Sequence, residues 1–379
     1  MTHITKIRSY ALSSKYGDGK VLGQPKSKKT LVFIEIKTDS KLSGIGETYC
    51  GVYFPELVDD IVKSYSQSLR GINIFDYDQI QINKEVPFVG RDGLLSSIWS
   101  AIDIALWDIR SKFKNEPICD LISKSKISFQ NLYASGGSAA LNPNEIMEDV
   151  QQQLDNGFKS YKMRIGYQKK SIDLKRVESA KKILGEKNIL MLDAIMGTLK
   201  PPWDLQTASQ YIKDLKKYKP FWLEEPLHPS NIEDHISLRK TSKINIASGE
   251  ALSGYIDYWS FIKNKAVDII QLDVTHCGGI TGAIEIIKLA EKNNMKVALH
   301  VWGSKLSFLS NLHVSFLSKN IIYLEFPTVN LALSNYLESE ELTISESKIF
   351  KPTFLGVGIK FKSSLVNQFK FIKGSGFKI

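Results

Sequence analysis

Eight short apolar runs recur between residues 130 and 326: QNLYAS, FKSYKMR, ILMLD, FWLE, INIAS, VDIIQLD, KVALH and IIYLEF. Short apolar runs separated by helix-length segments predict buried strands of a parallel sheet. The intervening stretches, PNEIMEDVQQQLDNG and AIEIIKLAEKN among them, repeat apolar positions at helical spacing. This alternation predicts an α/β fold, a closed (β/α)8 barrel of TIM type. The competing arrangement, an open doubly wound sheet, expects a GxGxxG turn after a strand, and the chain has none.

Ahead of the barrel the rhythm is different. ITKIRSYALS, TLVFIEIKTD and SGIGETY read as strands, the last two as a hairpin. PELVDDIVKSYSQSLR and DGLLSSIWSAIDIALWDIRSKF then carry helical periodicity, and KNEPICDLIS starts a short helix at Pro117. The second of these is apolar around most of its circumference, which predicts burial between layers. Residues 1–128 are therefore expected to form an N-terminal α+β capping domain and residues 129–335 the barrel. Residues 336–379, with ELTISES and GSGFKI, are too strand-like for another unit and are expected to fold back onto the cap. KYGDGKVLGQPKSKK, rich in Gly, Lys and Pro, fits a mobile loop that closes as a lid.

Composition narrows the class without changing the picture. The 379 residues exceed the roughly 250 of a typical barrel, which leaves room for the cap. No apolar run reaches membrane-spanning length, and the start of the chain has no signal-peptide core. The 50 basic residues outnumber 40 acidic ones, but they are scattered and without interleaved aromatics, which argues against nucleic acid as a partner. Three widely spaced cysteines and no CxxC pair point to a reducing cytoplasm.

The chemistry is concentrated where strands end. Asp193, Glu224 with Glu225, and Glu250 close three successive runs, 31 and then 26 residues apart, one unit each time. In a barrel those ends converge on one face. Carboxylates meeting there repel one another unless a cation lies between them, and all-oxygen ligation suits Mg²⁺. Lys162 and Arg164 share the inward face of the second strand, Asp273 ends the sixth, His300 the seventh and Glu325 the eighth. Asp273 and His300 lie on neighbouring strands, where a carboxylate can fix the imidazole's tautomer for proton transfer.

The ordered series KMR, LDA, EEP, SGE, IIQLD followed by CGGIT, and HVWGS resembles the mandelate racemase/muconate lactonizing enzyme-like branch of the enolase superfamily. GRDGLLSSIWSAIDIALWDIRSK and GIGETY resemble that branch's capping domain, so the likeness covers nearly the whole chain. It implies a modified, enolase-like barrel in which Asp193, Glu224 and Glu250 bind Mg²⁺, with Glu225 behind them. It also implies that Asp273 and His300 form a proton-transfer dyad and that Glu325 donates a hydrogen bond near the substrate carboxylate. An ene-diolate stabilised by Mg²⁺ is the chemistry the superfamily is known for.

Arg164 departs from the racemases of the branch, which carry a lysine base there. A guanidinium stays protonated and serves better as a clamp than as a base, while Lys162, Tyr161 and Tyr167 are left as candidates for the opposite side. The expected activity is therefore a Mg²⁺-dependent dehydratase (hydro-lyase) of a small sugar acid, an aldonate or aldarate, giving a 2-keto-3-deoxy acid. The alternatives are a racemase or epimerase on the same fold, a Schiff-base aldolase using Lys162, and a non-catalytic binding protein. Substrate contacts are expected from the cap, at Tyr16, Lys20, Tyr53 and Arg91, and the likeness implies a homo-oligomer, a dimer or octamer.

Overall fold

The computed structural model describes residues 1–17, 20–22, 27–85 and 92–378, with Asn83 and Glu85 as backbone alone. Arg91 and residues 18, 19 and 23–26 of the proposed lid lie outside the described residues. Three strands, β1 (Ile4–Lys15), β2 (Lys28–Thr38) and β3 (Ser43–Thr48), form an antiparallel meander at the N-terminus. Its register sets Leu12 beside Leu31 and Phe33 beside Glu47. The helix Leu94–Lys114 packs across this sheet so closely that a Cβ on Gly44 or Gly46 would fall 2.0 Å from the carbonyls of Ala105 or Ala101. Only glycine permits such an approach. The helix's other face meets the barrel: Ser100 Oγ accepts from Gly278 N–H at 2.9 Å, and Asp103 accepts from the Thr281 hydroxyl at 2.6 Å.

Eight parallel strands follow: β4 (Phe129–Ser135), β5 (Ser160–Arg164), β6 (Ile189–Asp193), β7 (Trp222–Glu224), β8 (Asn245–Ser248), β9 (Ile269–Leu272), β10 (Lys296–Leu299) and β11 (Ile321–Pro327). They pair in sequence order, and β11 closes on β4 with Leu324 opposite Leu132. Each strand read from the apolar runs is present. Tyr133, Met191, Trp222, Ala247, Ile269 and Ala298 form a small cluster of their own inside the barrel. The larger core lies between strands and outer helices and continues into the cap.

The last segment touches both parts. Lys348–Phe350 adds antiparallel to β4. Farther on, Ile372 N–H donates to Ser13 Oγ at 3.0 Å, and Phe377 N–H donates to Val52 O at 2.8 Å. Among the described residues no helix is long and apolar enough to cross a membrane. The three cysteines are buried and unbridged.

His313 belongs to the helix Lys305–Val314 and is fully buried, edge-on to Phe354 at 5.3 Å, with neither ring nitrogen aligned on a hydrogen-bond partner. Burial pushes its pKa down to about 3. The unfolded chain therefore takes up a proton near pH 6.5 that the fold refuses, so this contribution is intact above that pH and is lost as pH falls toward 3. We expect acidification from pH 7.5 to 5 to cost about 2 kcal/mol at this site. His313→Leu should lose correspondingly less in urea midpoint over that interval, and equal losses in both proteins would refute the assignment.

Candidate active site

The mouth of the barrel at the strands' C-terminal ends gathers the groups that the strand-end pattern singled out. Register places Arg164 beside Asp193 and Asp193 beside Glu224. Ile195 and Glu225 then take left-handed backbone (φ 50° and 41°), turning the chain sharply after each acid. For a β-branched residue such as Ile195 this is a strained conformation of the kind that collects at functional sites. Asp193 Oδ1 also accepts from Ile195 N–H at 2.9 Å, so the turn and the carboxylate hold each other.

Lys162 is the central cation. Its Nζ, fully buried, lies 2.6 Å from Glu224 Oε1, 3.0 Å from Glu325 Oε1 and 3.7 Å from Asp193 Oδ2. Burial works against its charge, but the three carboxylates more than reverse this and hold its pKa above the ordinary lysine value. Trp222 donates its indole N–H to the other oxygen of Glu224 at 3.1 Å. Arg164 donates to Gly136 O at 2.7 Å and Ser135 Oγ at 3.2 Å, with Nε 3.9 Å from Asp193.

On the opposite side His300 is held at both nitrogens. Nδ1 is 3.0 Å from Asp273 Oδ2, and Nε2 is 3.2 Å from Glu250 Oε2 and 3.8 Å from Glu325 Oε2. Asp273 is fixed in turn by the amide and hydroxyl of Thr275 at 2.8 and 2.7 Å and by Asn311 at 3.3 Å. Burial disfavours the imidazolium, yet Glu250, Glu325 and Asp273 outweigh it and raise His300 to about 9. Burial likewise opposes the Glu325 carboxylate, but Lys162, His300 and Arg164 bring it down to about 2. A donor role for Glu325 therefore requires that a bound anion first displace this balance.

The remaining acids are under-compensated. Burial, then Glu224, raises Asp193 to about 6, and burial, then Asp193 and Glu224, raises Glu225 to about 8. Burial lifts Glu250 well above the carboxylate range, with His300 pulling the other way. Six carboxylates thus share one mouth with Lys162, Arg164 and an ionisable imidazole. By donor type and charge, Asp193, Glu224 and Glu250 fit a divalent cation. Their side chains are nevertheless turned toward Lys162 and His300, and among the described residues no three acid, imidazole or thiol groups stand gathered as a cation cage. Holding an ion requires Glu224 and Glu250 to swing off those partners.

The cap reaches the site at more points than the sequence suggested. Tyr16 and Tyr53 line the cavity over the mouth. Lys20 does not: its ammonium is paired with Glu145 on the barrel helix Pro143–Asp155, so the expectation of a substrate contact there is corrected. Tyr49, Trp302 and Phe377, which sequence reasoning missed, line the cavity as well. Trp302 carried a signal, two residues past His300; Phe377 near the chain's end carried none.

Two buried cap residues hold the segment after His300. Glu47 accepts from Ser304 N–H at 2.9 Å and from the Ser304 hydroxyl. Lys29 donates to Trp302 O and lies 4.0 Å over its ring. Burial raises Glu47 and lowers Lys29, each to about 7.

Residues 145–365 match the family description "Enolase C-terminal domain-like", and residues 22–123 match the N-terminal domain of mandelate racemase / muconate lactonizing enzyme. The chain belongs to the enolase superfamily. Within it, the chain is 28% identical over 294 residues to an L-talarate/galactarate dehydratase from Salmonella typhimurium, covering 76% of this chain and 73% of that one. The fold matches a crystal structure of a 3,6-anhydro-D-galactonate cycloisomerase from Zobellia galactanivorans with TM-score 0.85 at 23% identity, covering 97% and 99% of the two chains. It also matches an L-talarate/galactarate dehydratase variant liganded with Mg and L-glucarate, TM-score 0.86 at 23% identity, covering 98% and 92%. In this superfamily member the N-terminal match takes in β2 and β3 of the cap, and the C-terminal match takes in β5 to β11 of the barrel.

Removing Lys162 leaves Glu224 and Glu325 buried without their cation, which costs about 3–5 kcal/mol. Lys162→Met should lower the urea midpoint accordingly, and adding Glu325→Gln should recover part of the loss. Strictly additive losses in the double variant would show that the cluster is not coupled.

Proposed function

We propose that this enolase superfamily member is a Mg²⁺-dependent dehydratase of a sugar acid. The observation that carries the reading is the asymmetry of the mouth. One side presents an imidazole that can be neutral, oriented by Asp273; the other presents Arg164, whose guanidinium stays charged and is tied to Gly136 and Ser135. One base can take an α-proton and return it, whereas inversion at that carbon calls for two. The talarate/galactarate dehydratase among the relatives supports the same direction.

Asp193, Glu224 and Glu250 would hold the ion, which when bound neutralises charge on the substrate's carboxylate as its α-carbon is deprotonated. His300 Nε2 takes the α-proton, the C–H electron pair delocalises into the carboxylate as an ene-diolate, and that pair then forms the C=C bond as the β-carbon–oxygen bond breaks. The imidazolium gives its proton to the departing hydroxyl, so water leaves, His300 returns neutral and the enol tautomerises to a 2-keto-3-deoxy acid. Lys162 and Arg164 face the carboxylate end, where they stabilise the extra negative charge that develops.

Purified protein with Mg²⁺ should convert at least one acid from a stereochemically broad aldonate and aldarate panel to a 2-keto acid, scored as its semicarbazone. EDTA should abolish the conversion and Mg²⁺ restore it, and His300→Asn should reduce it by about 10³-fold. α-Proton exchange in D₂O without loss of water would favour a racemase or epimerase instead. The absence of any 2-keto acid across the panel ends the dehydratase reading.

A further inference from the structure

We infer that Glu47, a buried residue of the capping domain, is a positioning residue for the Asp273–His300 pair, so that the cap sets the aim of the base. Positioning of this kind presupposes the proton-transfer role given to that pair in the dehydratase reading. Asp273 and His300 follow the neighbouring strands β9 and β10 and meet through one hydrogen bond, Nδ1 to Oδ2 at 3.0 Å. The other oxygen of Asp273, Oδ1, is occupied three times over: by the Thr275 N–H at 2.8 Å, the Thr275 hydroxyl at 2.7 Å and the Asn311 amide at 3.3 Å. With Oδ1 pinned, Oδ2 is the oxygen left to face the imidazole. The aim of the pair therefore depends on what holds Thr275, Asn311 and the stretch after His300.

All three lead to one short segment of the cap, Glu47–Tyr49, where β3 ends. On the Asp273 side, Tyr49 N–H donates to Thr275 O at 3.0 Å. On the His300 side, Glu47 takes both donors of Ser304, the amide at 2.9 Å and the hydroxyl. Ser304 is the N-cap of the helix Lys305–Val314, its Oγ accepting from Leu306 N–H at 3.0 Å. That helix carries Asn311, whose side-chain oxygen accepts from Val274 N–H at 3.1 Å while its amide also donates to Ser307 O at 3.0 Å. Between the two grips, the Thr48 hydroxyl donates to Ser97 O at 2.8 Å and ties the segment to the helix Leu94–Lys114.

The chain is fitted to the Glu47 carboxylate. A Cβ on Gly303 would fall 2.4 Å from Glu47 Oε1 and 2.4 Å from Ser307 Cβ, so glycine is what lets the carboxylate reach Ser304. A negative charge at this helix N-terminus is also favoured by the aligned peptide dipoles. Yet Glu47 is only 1% exposed, and a buried carboxylate is costly to desolvate. Replacing buried charge with well-packed apolar side chains is often neutral or stabilising, so stability alone does not call for an acid here. A fixed geometry at Ser304 does.

The test reads the Asp273–His300 bond directly in the full chain, by proton NMR of deuterated protein carrying ¹⁵N-histidine. His300 Nδ1 bears a proton both in the neutral tautomer that Asp273 fixes and in the imidazolium, and its downfield resonance is identified by its loss in His300→Asn. Glu47→Ala should broaden or abolish this resonance. Glu47→Gln should restore it, since the amide oxygen can accept from Ser304 N–H and the NH₂ can donate to Ser304 Oγ. In turnover, kcat of Glu47→Ala should fall about a hundredfold with KM changed by less than about twofold. Asp103→Ala, which cuts a separate cap-to-barrel contact at Thr281, should lose stability and keep the resonance. If Glu47→Ala fails to fold, Ser304→Ala, which removes the hydroxyl bond alone, should broaden the same resonance. A resonance absent from the parent protein, unbroadened in Glu47→Ala or Ser304→Ala, or equally lost in Asp103→Ala, overturns the inference. The expected pattern of resonances without any 2-keto acid from the parent protein would leave the positioning role standing and sink the dehydratase reading alone.

Discussion

The constraint on which the rest of the molecule depends is an excess of buried negative charge at one end of a barrel. Lys162 lies within 4 Å of three carboxylates from three other strands, and His300 bridges three more contacts of the same kind. Taking such charges out of water is costly, and each pairing offsets that cost only while every partner is present. This explains why two cations and an imidazole are packed so closely among the acids, and why Glu225 and Glu250, left with weaker compensation, are pushed toward their protonated forms. A divalent ion is a natural further counterweight. Binding one would also draw Glu224 and Glu250 away from Lys162 and His300.

The cap completes the mouth from above. Close passage of the helix Leu94–Lys114 over Gly44 and Gly46 brings β3 near enough for Glu47 to hold Ser304, four residues beyond His300. Lys29 on the neighbouring strand holds Trp302. The stretch from His300 to Ser304 is therefore steadied by residues more than 250 positions away in the chain. The tail makes the same kind of connection, since residues 372–377 run along the cap and deliver Phe377 to the cavity.

The two parts of the mouth are built differently. The charged groups sit at strand ends, on rigid, paired backbone where small displacements are resisted. The aromatic side chains over them stand on loops and on the tail, which can change without disturbing the strands beneath.

Much of this was written locally in the chain. Apolar runs at unit spacing marked all eight barrel strands, and the acid or base closing each run from the second to the eighth was placed by strand alternation and strand direction at the mouth. Helical periodicity and Pro117 marked the cap's helices for the same reason: period and capping act over a few residues. What the tertiary structure alone decided is how those side chains are turned and what stands over them. Glu224 faces Lys162 and Glu250 faces His300 because charges settle against whichever opposite charge packing brings nearest. Lys20, expected from its place in a loop to touch substrate, instead finds Glu145 across the boundary with the barrel. Phe377 meets Trp302 only because the tail's backbone bonds to Val52. Such contacts join residues at least 50 positions apart, and no local pattern of polarity encodes them.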